Sequence, residues 1–190
     1  MDLDVIKQDV KDQLTEHRFA HTLRVMDTAV DLSKRYNESI PNAKLAAIFH
    51  DYAKYFDQTI MRQIIVETDL PNDLLDYHHE LWHGPVASHI IKEKYGVQTS
   101  DVRNAIKYHT TGRACMSQLE KIIFLADYIE PGRQFPGVEE VREVAYENLT
   151  KACWMAAKNT TMYLISKNNT IYPDSIHAYN DLRNQINGGI

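Results

Sequence analysis

Apolar side chains recur every three to four residues through almost every stretch of this 190-residue chain. That spacing places them along one face of an α-helix, whereas a half-buried strand would alternate apolar and polar residues. The sequence contains no alternating stretch, no internal repeat and no low-complexity segment. The pattern therefore predicts an all-α protein.

Turn and capping residues set the boundaries of these helices. Pro41, Pro71 and Pro85 suit the first turn of a helix, and Gly96 suits the position just after one. The sequence SQLE at 117–120 has the spacing of a capping box. The predicted helices span about 2–15, 18–36, 41–54, 58–67, 71–77, 85–95, 99–109, 118–130, 138–147, 149–167 and 174–186.

The length fits one domain over residues 1–190. A composition of 44% apolar and 25% charged residues is ordinary for a globular protein and argues against disorder. We expect a core over about residues 15–135, with the helices of 138–190 packed on it.

Charge and hydropathy exclude several classes of protein. The net charge is −5 and no basic block is present, which argues against a nucleic-acid partner. No apolar run approaches the roughly 20 residues of a membrane span, and the N-terminus does not resemble a signal peptide. Cys115 and Cys153 stand far apart, which argues against a disulfide framework and favours the cytoplasm.

Histidine and aspartate stand together inside the sequence LAAIFHDYAK at 45–54. A helical wheel places His50, Asp51 and Lys54 on the side opposite the apolar stripe. For this helix alone, a solvated polar face is the more common explanation. The chain has nine histidines, however, and histidine is the commonest metal ligand in proteins.

Other polar residues interrupt apolar faces. Asp127 follows the apolar run IIFLA at 122–126, where an unpaired carboxylate would cost several kcal/mol. His109 shares a helix face with apolar residues, His21 lies at the edge of one, and His83 precedes Gly84-Pro85. Taken singly, each fits a hydrogen-bonded core residue or a helix edge at least as well.

Taken together, these residues come from five helical elements and would meet only in a core. Imidazole and carboxylate ligands suit first-row metals such as iron, manganese, cobalt, nickel and zinc. Adjacent His50 and Asp51 can bind one metal ion, or Asp51 can bridge two. A metal would also explain how the apolar surroundings accommodate Asp127.

The sequence HELWH at 79–83 matches the H-E-x-x-H motif of metalloproteases. That motif needs both histidines on one continuous helix. Because Gly84-Pro85 follows at once and is expected to begin a new helix, we reject the protease interpretation.

Five short sequences occur in an order and at distances that resemble the HD-domain phosphohydrolase superfamily. They are HTLRV at 21–25, HDYAK at 50–54, LWHGPVAS at 81–88, YHTTGR at 108–113 and LADYIEPGR at 125–133. More narrowly, they resemble its bacterial symmetrical diadenosine-tetraphosphate hydrolases. One departure is Ala114-Cys115, where a proline-glycine-like pair is expected.

The resemblance implies an HD-domain helical bundle with an iron-compatible divalent metal, with manganese, cobalt or nickel as alternatives. The implied ligands are His21, His50, Asp51 and Asp127. The two further histidines, His83 and His109, are expected either to bind a second metal or to grip phosphate.

The resemblance also implies a set of residues around the substrate. Lys54, Thr110 and Arg133 are expected near the polyphosphate, and Asp51, Lys54 and His83 take the catalytic roles. We further hypothesise that the segment at 170–175 borders the nucleoside, with Thr170 in its wall and Tyr172 stacked on adenine.

The expected reaction is symmetrical cleavage of diadenosine tetraphosphate into two ADP by metal-activated water. One alternative is an HD hydrolase of another nucleotide: a guanosine polyphosphate, a deoxynucleoside triphosphate or a cyclic nucleotide. A second is a nucleotide-binding module without catalysis. The expected partner is a small nucleotide, without nucleic acid or membrane, and a homodimer is compatible with the size.

Overall fold

The computed structural model describes residues 3–188, so the predicted helix start at Asp2 lies outside the described residues. Within residues 3–188, ten α-helices follow one another, with two 3₁₀ turns, at Asn72–Asp76 and His79–Leu81, between the fourth and fifth. The helices are α1 Leu3–Gln13, α2 Glu16–Tyr36, α3 Ile40–Phe49, α4 Gln58–Glu67, α5 His83–Tyr95, α6 Ser100–Lys107, α7 Gln118–Ile129, α8 Val138–Ala145, α9 Leu149–Ser166 and α10 Pro173–Ile186. Residues 3–188 contain no strand, which confirms the all-α prediction.

Side-chain caps explain where several helices begin. The side chains of Thr15, Ser39 and Asp57 each accept a hydrogen bond from a backbone N–H in the first turn of α2, α3 and α4. Gly96 ends α5 in the left-handed conformation, with φ 65°, that glycine adopts without steric cost. Of these signals, only Gly96 entered the predicted boundaries. The starts of α2 and α4 were predicted from apolar spacing, and that of α3 from Pro41.

The predicted capping box at the start of α7 is only half formed. Ser117 Oγ accepts a hydrogen bond from the backbone N–H of Glu120, as expected. The Glu120 carboxylate, however, forms a two-bond ion pair with Arg113 instead of returning to the Ser117 N–H. Because Glu120 is buried, an arginine partner stabilises its charge better than a single N–H would.

Helix α7 lies at the centre of the fold and contacts α2, α3, α6, α8 and α9. It buries almost its whole circumference, including Ile122, Ile123 and Leu125, as expected for a helix that is apolar on most sides. Helix α9 packs on α7 and α8, and α10 packs on α9. The Asp127 side chain therefore projects from a helix that other helices surround on most sides.

The structure corrects three predicted boundaries. Helix α3 ends at Phe49 instead of Lys54, and α6 ends at Lys107 instead of His109. Gly84-Pro85 does not break the chain, because it lies in the first turn of α5, which begins at His83. In the first two cases a histidine just past the helix donates to a carbonyl of its last turn, which caps a group that would otherwise lack a partner.

The expectation of a solvated polar face at His50 and Asp51 for an isolated helix is also wrong. Both residues lie in the turn after α3 and both are completely buried. Both side chains meet groups from α2 and α7: Asp51 Oδ2 lies 3.6 Å from His21 Nε2, and His50 Nε2 lies 4.0 Å from Asp127 Oδ1.

The departure at Ala114-Cys115 has a conformational consequence. Cys115 adopts φ 55°, in the left-handed region that favours glycine. Its backbone N–H donates to Asp181 Oδ2 at 2.9 Å, which ties the loop to α10. The loop thus keeps a glycine-type conformation without a glycine.

None of the helices within residues 3–188 combines the length and apolarity that crossing a bilayer requires.

Candidate metal centre

Three parts of the fold bring imidazole and carboxylate groups to one point. His21 comes from α2, His50 and Asp51 from the turn after α3, and Asp127 from α7. The distance from His21 Nε2 to Asp127 Oδ1 is 3.0 Å, and that from His50 Nε2 to Asp51 Oδ2 is 3.0 Å. His50 Nε2 lies 4.0 Å from Asp127 Oδ1. Two overlapping sets of three ligand atoms lie close enough to share a divalent metal ion. One set comes from His21, His50 and Asp127, and the other from His50, Asp51 and His109.

Several of these atoms lack the hydrogen bonds that buried polar atoms normally make. His21 Nε2, His50 Nε2 and both carboxylate oxygens of Asp51 are buried without a hydrogen-bond partner. Such groups are costly unless they are paired or coordinate a metal. Their convergence fits a metal ion bound by nitrogen and oxygen donors.

Hydrogen bonds also determine which ring nitrogen of each histidine is free. The Nδ1 atoms of His50, His83 and His109 donate to the carbonyl three residues earlier, at 2.7, 2.7 and 2.8 Å. His21 Nδ1 donates to Glu130 Oε1 at 3.0 Å. Because a carbonyl or carboxylate only accepts, Nδ1 carries the proton and Nε2 keeps its lone pair, as in metal-binding histidines.

His83 and His109 form a second pair next to the first group. Their Nε2 atoms lie 3.1 Å apart, and His83 Nε2 lies 3.2 Å from Asp51 Oδ1. Thr110 Oγ1 lies 3.1 Å from His109 Nε2. Two facing imidazole lone pairs are unfavourable unless a proton or cation lies between them. Asp51, with one oxygen toward each group, is therefore placed where a carboxylate could bridge two metals.

Burial and neighbouring charges shift the pKa values in opposite directions. Burial lowers the pKa of His109, and His83 and His50 lower it further, well below its usual value. Burial alone would raise the pKa of Asp51, but His50 and His83 hold it well below its usual range. A neutral His109 and an ionised Asp51 are the forms that bind metal. At His50 burial lowers the pKa, but the charges of Asp51 and Asp127 outweigh it and raise that pKa above its usual value.

Two arginines reach the carboxylates. Arg18 Nε lies 2.6 Å from Asp51 Oδ2. Arg133 donates to Asp127 twice, from Nη2 to Oδ1 at 2.6 Å and from Nε to the backbone carbonyl at 2.9 Å. Burial alone would raise the pKa of Asp127, but the adjacent His21 imidazole and the charge of Arg133 keep it well below its usual value. Arg133 was expected near phosphate, and in this structure its guanidinium is paired with Asp127, a candidate metal ligand.

Lys54 lies at the rim of the site. Its Nζ pairs with Glu80 Oε2 at 2.5 Å, and only 18% of the lysine side chain is exposed. The Glu80 backbone carbonyl also accepts a hydrogen bond from the Nδ1–H of His83. His79, the first histidine of the H-E-x-x-H match, lies in a 3₁₀ turn outside α5, so the two histidines do not share a helix.

Thr170 and Tyr172 line a cleft of about 320 Å³ beside this rim. Glu80, Thr110 and Leu164 line it as well. Tyr172 is buried, its hydroxyl donates to Asp73 Oδ1 at 3.1 Å, and its ring meets Tyr77 edge-on at 5.0 Å. Burial and the charge of Asp73 raise the Tyr172 pKa, so the hydroxyl remains protonated.

Sequence reasoning missed Glu130 and Arg18. Glu130 is buried and accepts hydrogen bonds from His21 Nδ1, from Arg24 Nε at 2.6 Å and from the Gly132 N–H at 2.6 Å. It therefore orients a candidate ligand. Glu130 is the first residue of EPGR at 130–133, and Arg18 lies three residues before His21 on the same helix face. Both residues were visible in the sequence, but nothing in it identified the side chains that they would contact.

We expect Glu130 to make stability depend on pH. Burial alone would raise its pKa, but hydrogen bonds from Arg24, His21 and Gly132 lower it from 4.5 to about 2. Because the folded pKa lies below the unfolded one, this stabilisation is complete above about pH 4.5 and is lost as the pH falls toward 2. Glu130→Gln should lower the free energy of unfolding at pH 7 by roughly 1–3 kcal/mol.

Urea unfolding measured across pH tests this expectation. The difference between the wild type and Glu130→Gln should shrink as the pH falls below about 4.5. Glu143→Gln, which alters an exposed carboxylate, should show no such trend. A difference that does not vary with pH would rule out this role for Glu130.

Comparisons with known proteins extend over the residues of this centre. The HD domain family matches residues 18–132. The chain is 48% identical over 171 residues to a protein of Bacillus subtilis named symmetrical bis(5'-nucleosyl)-tetraphosphatase, which covers 90% of this chain and 92% of that protein. It is 52% identical over 175 residues to a protein of the same name from Halalkalibacterium halodurans, covering 92% and 94%.

The fold is also similar to that of a solved structure. It is the crystal structure of a predicted HD superfamily hydrolase involved in NAD metabolism from Clostridium acetobutylicum. The TM-score is 0.92 at 40% sequence identity, covering 97% of this chain and 98% of that chain. The helical fold is therefore shared along almost the full length of both chains.

Proposed function

This chain belongs to the HD domain family, and we propose that it hydrolyses diadenosine tetraphosphate symmetrically into two ADP. The observation that carries the proposal is the convergence of His21 Nε2, His50 Nε2 and the Asp51 oxygens, all buried without a hydrogen bond, beside a nucleoside-sized cleft. The names of the similar proteins favour this substrate over a guanosine polyphosphate, a deoxynucleoside triphosphate or a cyclic nucleotide. The full set of ligand-type residues favours an enzyme over a module that only binds nucleotide.

In this proposal His21, His50, Asp51 and Asp127 hold a divalent metal, with His83 and His109 available to a second one. The metal supplies Lewis-acid charge, which acidifies water and neutralises phosphate. We propose iron, with manganese, cobalt and nickel as alternatives, because imidazole and carboxylate donors suit these ions better than magnesium or calcium. Metal analysis of protein purified without chelators tests this choice.

The chain's own residues provide proton transfer and charge. His83, whose Nδ1–H is engaged by Glu80, presents an Nε2 lone pair that can accept a proton from attacking water. Lys54 and Arg133 are both engaged with carboxylates within reach of the site, and an arriving polyphosphate can compete for those cations. Thr110 offers a hydroxyl next to His109.

The cleft beside Glu80 suits one nucleoside of the substrate. Its wall contains Thr170 and Tyr172, as hypothesised from the sequence. Because the Tyr172 hydroxyl is held by Asp73 and its ring by Tyr77, this side chain is fixed before a ligand arrives. A rigid aromatic wall loses little side-chain entropy when it contacts adenine.

The setting of the protein is also part of the proposal. We propose a cytoplasmic enzyme with a small nucleotide as its partner and no nucleic acid or membrane, which the free thiols of Cys115 and Cys153 and the net charge of −5 support. We further propose a homodimer. Met162, Tyr163 and Ile165 on α9 are more than half exposed, and light scattering in solution tests whether a second copy covers them.

Product analysis tests the activity. Protein loaded with ferrous iron or manganese is incubated with diadenosine tetraphosphate, and the nucleotides are separated by anion exchange. ADP should be the only product. ATP plus AMP would keep the hydrolase but place the attack on a different phosphorus, and no turnover would favour another nucleotide or a binding module.

A further inference from the structure

A second cleft, of about 420 Å³, lies between the end of α4 and helices α5 and α6. Four basic side chains line it: His89 and Lys92 from α5, and Arg103 and Lys107 from α6. Two carboxylates, Glu67 and Asp69, line it as well. In a chain with a net charge of −5, this concentration of basic groups is unusual.

Arg103 is the unusual member of this group. Within residues 3–188, six arginines are half-buried, and five of them form an ion pair with a carboxylate, namely Arg18, Arg24, Arg113, Arg133 and Arg142. Of these six half-buried arginines within residues 3–188, only Arg103 has no ion pair and no side-chain hydrogen bond, and its Nε atom is completely buried. A buried guanidinium nitrogen without a partner requires an explanation.

The second cleft is separate from the metal centre. Lys92 lies nine residues after His83 on α5, which places the two side chains on opposite faces of that helix. A ligand bound at Lys92 and Arg103 therefore does not contact the metal-binding groups. Lys107 also borders a narrow space beside Tyr172, so it is a poor choice for a test.

We propose that this cleft binds a small phosphorylated molecule. The Arg103 guanidinium can hold two phosphate oxygens at once, and Lys92 adds a point charge at the same wall. Asp69 and Glu67 can accept hydrogen bonds from hydroxyl or amino groups elsewhere on the ligand. The volume has room for a molecule of nucleotide size.

Calorimetric titration of the metal-loaded protein with inorganic pyrophosphate tests the proposal. The wild type should show two binding events, one at the metal centre and one at the second cleft. Arg103→Gln should weaken one event by roughly tenfold or more and leave the other unchanged. Lys92→Gln should weaken the same event. Identical titrations of the wild type and Arg103→Gln, whether they show one event or two, would overturn the proposal.

Arg62→Gln is the matched control, because Arg62 is an exposed arginine on α4 that does not line the cleft. It removes the same charge and should leave both events intact. A repeat with ADP distinguishes two sources of phosphate. Tighter Arg103-dependent binding of ADP than of pyrophosphate identifies a nucleotide site, and the reverse order identifies an inorganic polyphosphate site. Neither result depends on whether diadenosine tetraphosphate is cleaved.

Discussion

Asp51→Asn is expected to remove most of the bound metal and to lower diadenosine tetraphosphate turnover by more than about 100-fold. Replacing a residue that only orients a metal ligand typically costs up to about 100-fold, and the loss of a ligand itself should cost more. Asp51 is completely buried, and both of its oxygens lack hydrogen-bond partners. One oxygen lies 3.0 Å from His50 Nε2 and the other 3.2 Å from His83 Nε2. An amide keeps the shape but loses the charge that both neighbouring groups need.

The measurement combines metal analysis with anion-exchange assay of ADP. Asp27→Asn is the matched control, since Asp27 is an exposed carboxylate on α2. Arg18 loses its charged partner in Asp51→Asn, so thermal unfolding should be recorded to separate loss of metal from loss of fold. A folded variant that keeps both its metal and its turnover would exclude Asp51 from the centre.

His83→Gln should lower turnover by about 100-fold or more, the range typical of a general acid or base. His83 Nε2 lies between Asp51 Oδ1 and His109 Nε2, at 3.2 and 3.1 Å. The group formed by His21, His50 and Asp127 does not include it. We therefore expect the variant to retain metal at that first group even though catalysis is lost.

His79→Gln provides the control, because it changes the other histidine of the H-E-x-x-H match. His79 is partly exposed and lies outside α5, so the variant should keep both metal and turnover. Steady-state rates and metal content of the two variants, measured side by side, decide the point. Wild-type turnover in His83→Gln would remove His83 from the catalytic residues, and metal loss in His79→Gln would reopen the metalloprotease interpretation.

Local signals account for what could be predicted. The helical spacing of apolar residues and the prolines at 41, 71 and 85 act within one or two turns, so they can be recognised without knowing the fold. The same holds for Gly96 at the end of α5. The candidate ligands were found because each interrupts an apolar face and because together they match a known family.

Contacts between distant parts of the chain could not be predicted in this way. His21 and Glu130 are 109 positions apart, and nothing near either residue names the other as its partner. Arg18, expected in no role, reaches Asp51 only because α2 packs against α3. His50, just past the end of α3, is completely buried among groups from α2 and α7 that the sequence around it does not identify.

The helices and the identity of the groups that could bind metal follow from short segments of sequence, because periodicity, proline and glycine positions, and side-chain chemistry are local properties. The packing of helices against one another places Asp51 between two sets of imidazoles, selects which nitrogen of each histidine is free, and leaves Arg103 without a carboxylate partner. These features depend on distances between helices, and side-chain packing sets those distances to a fraction of an ångström.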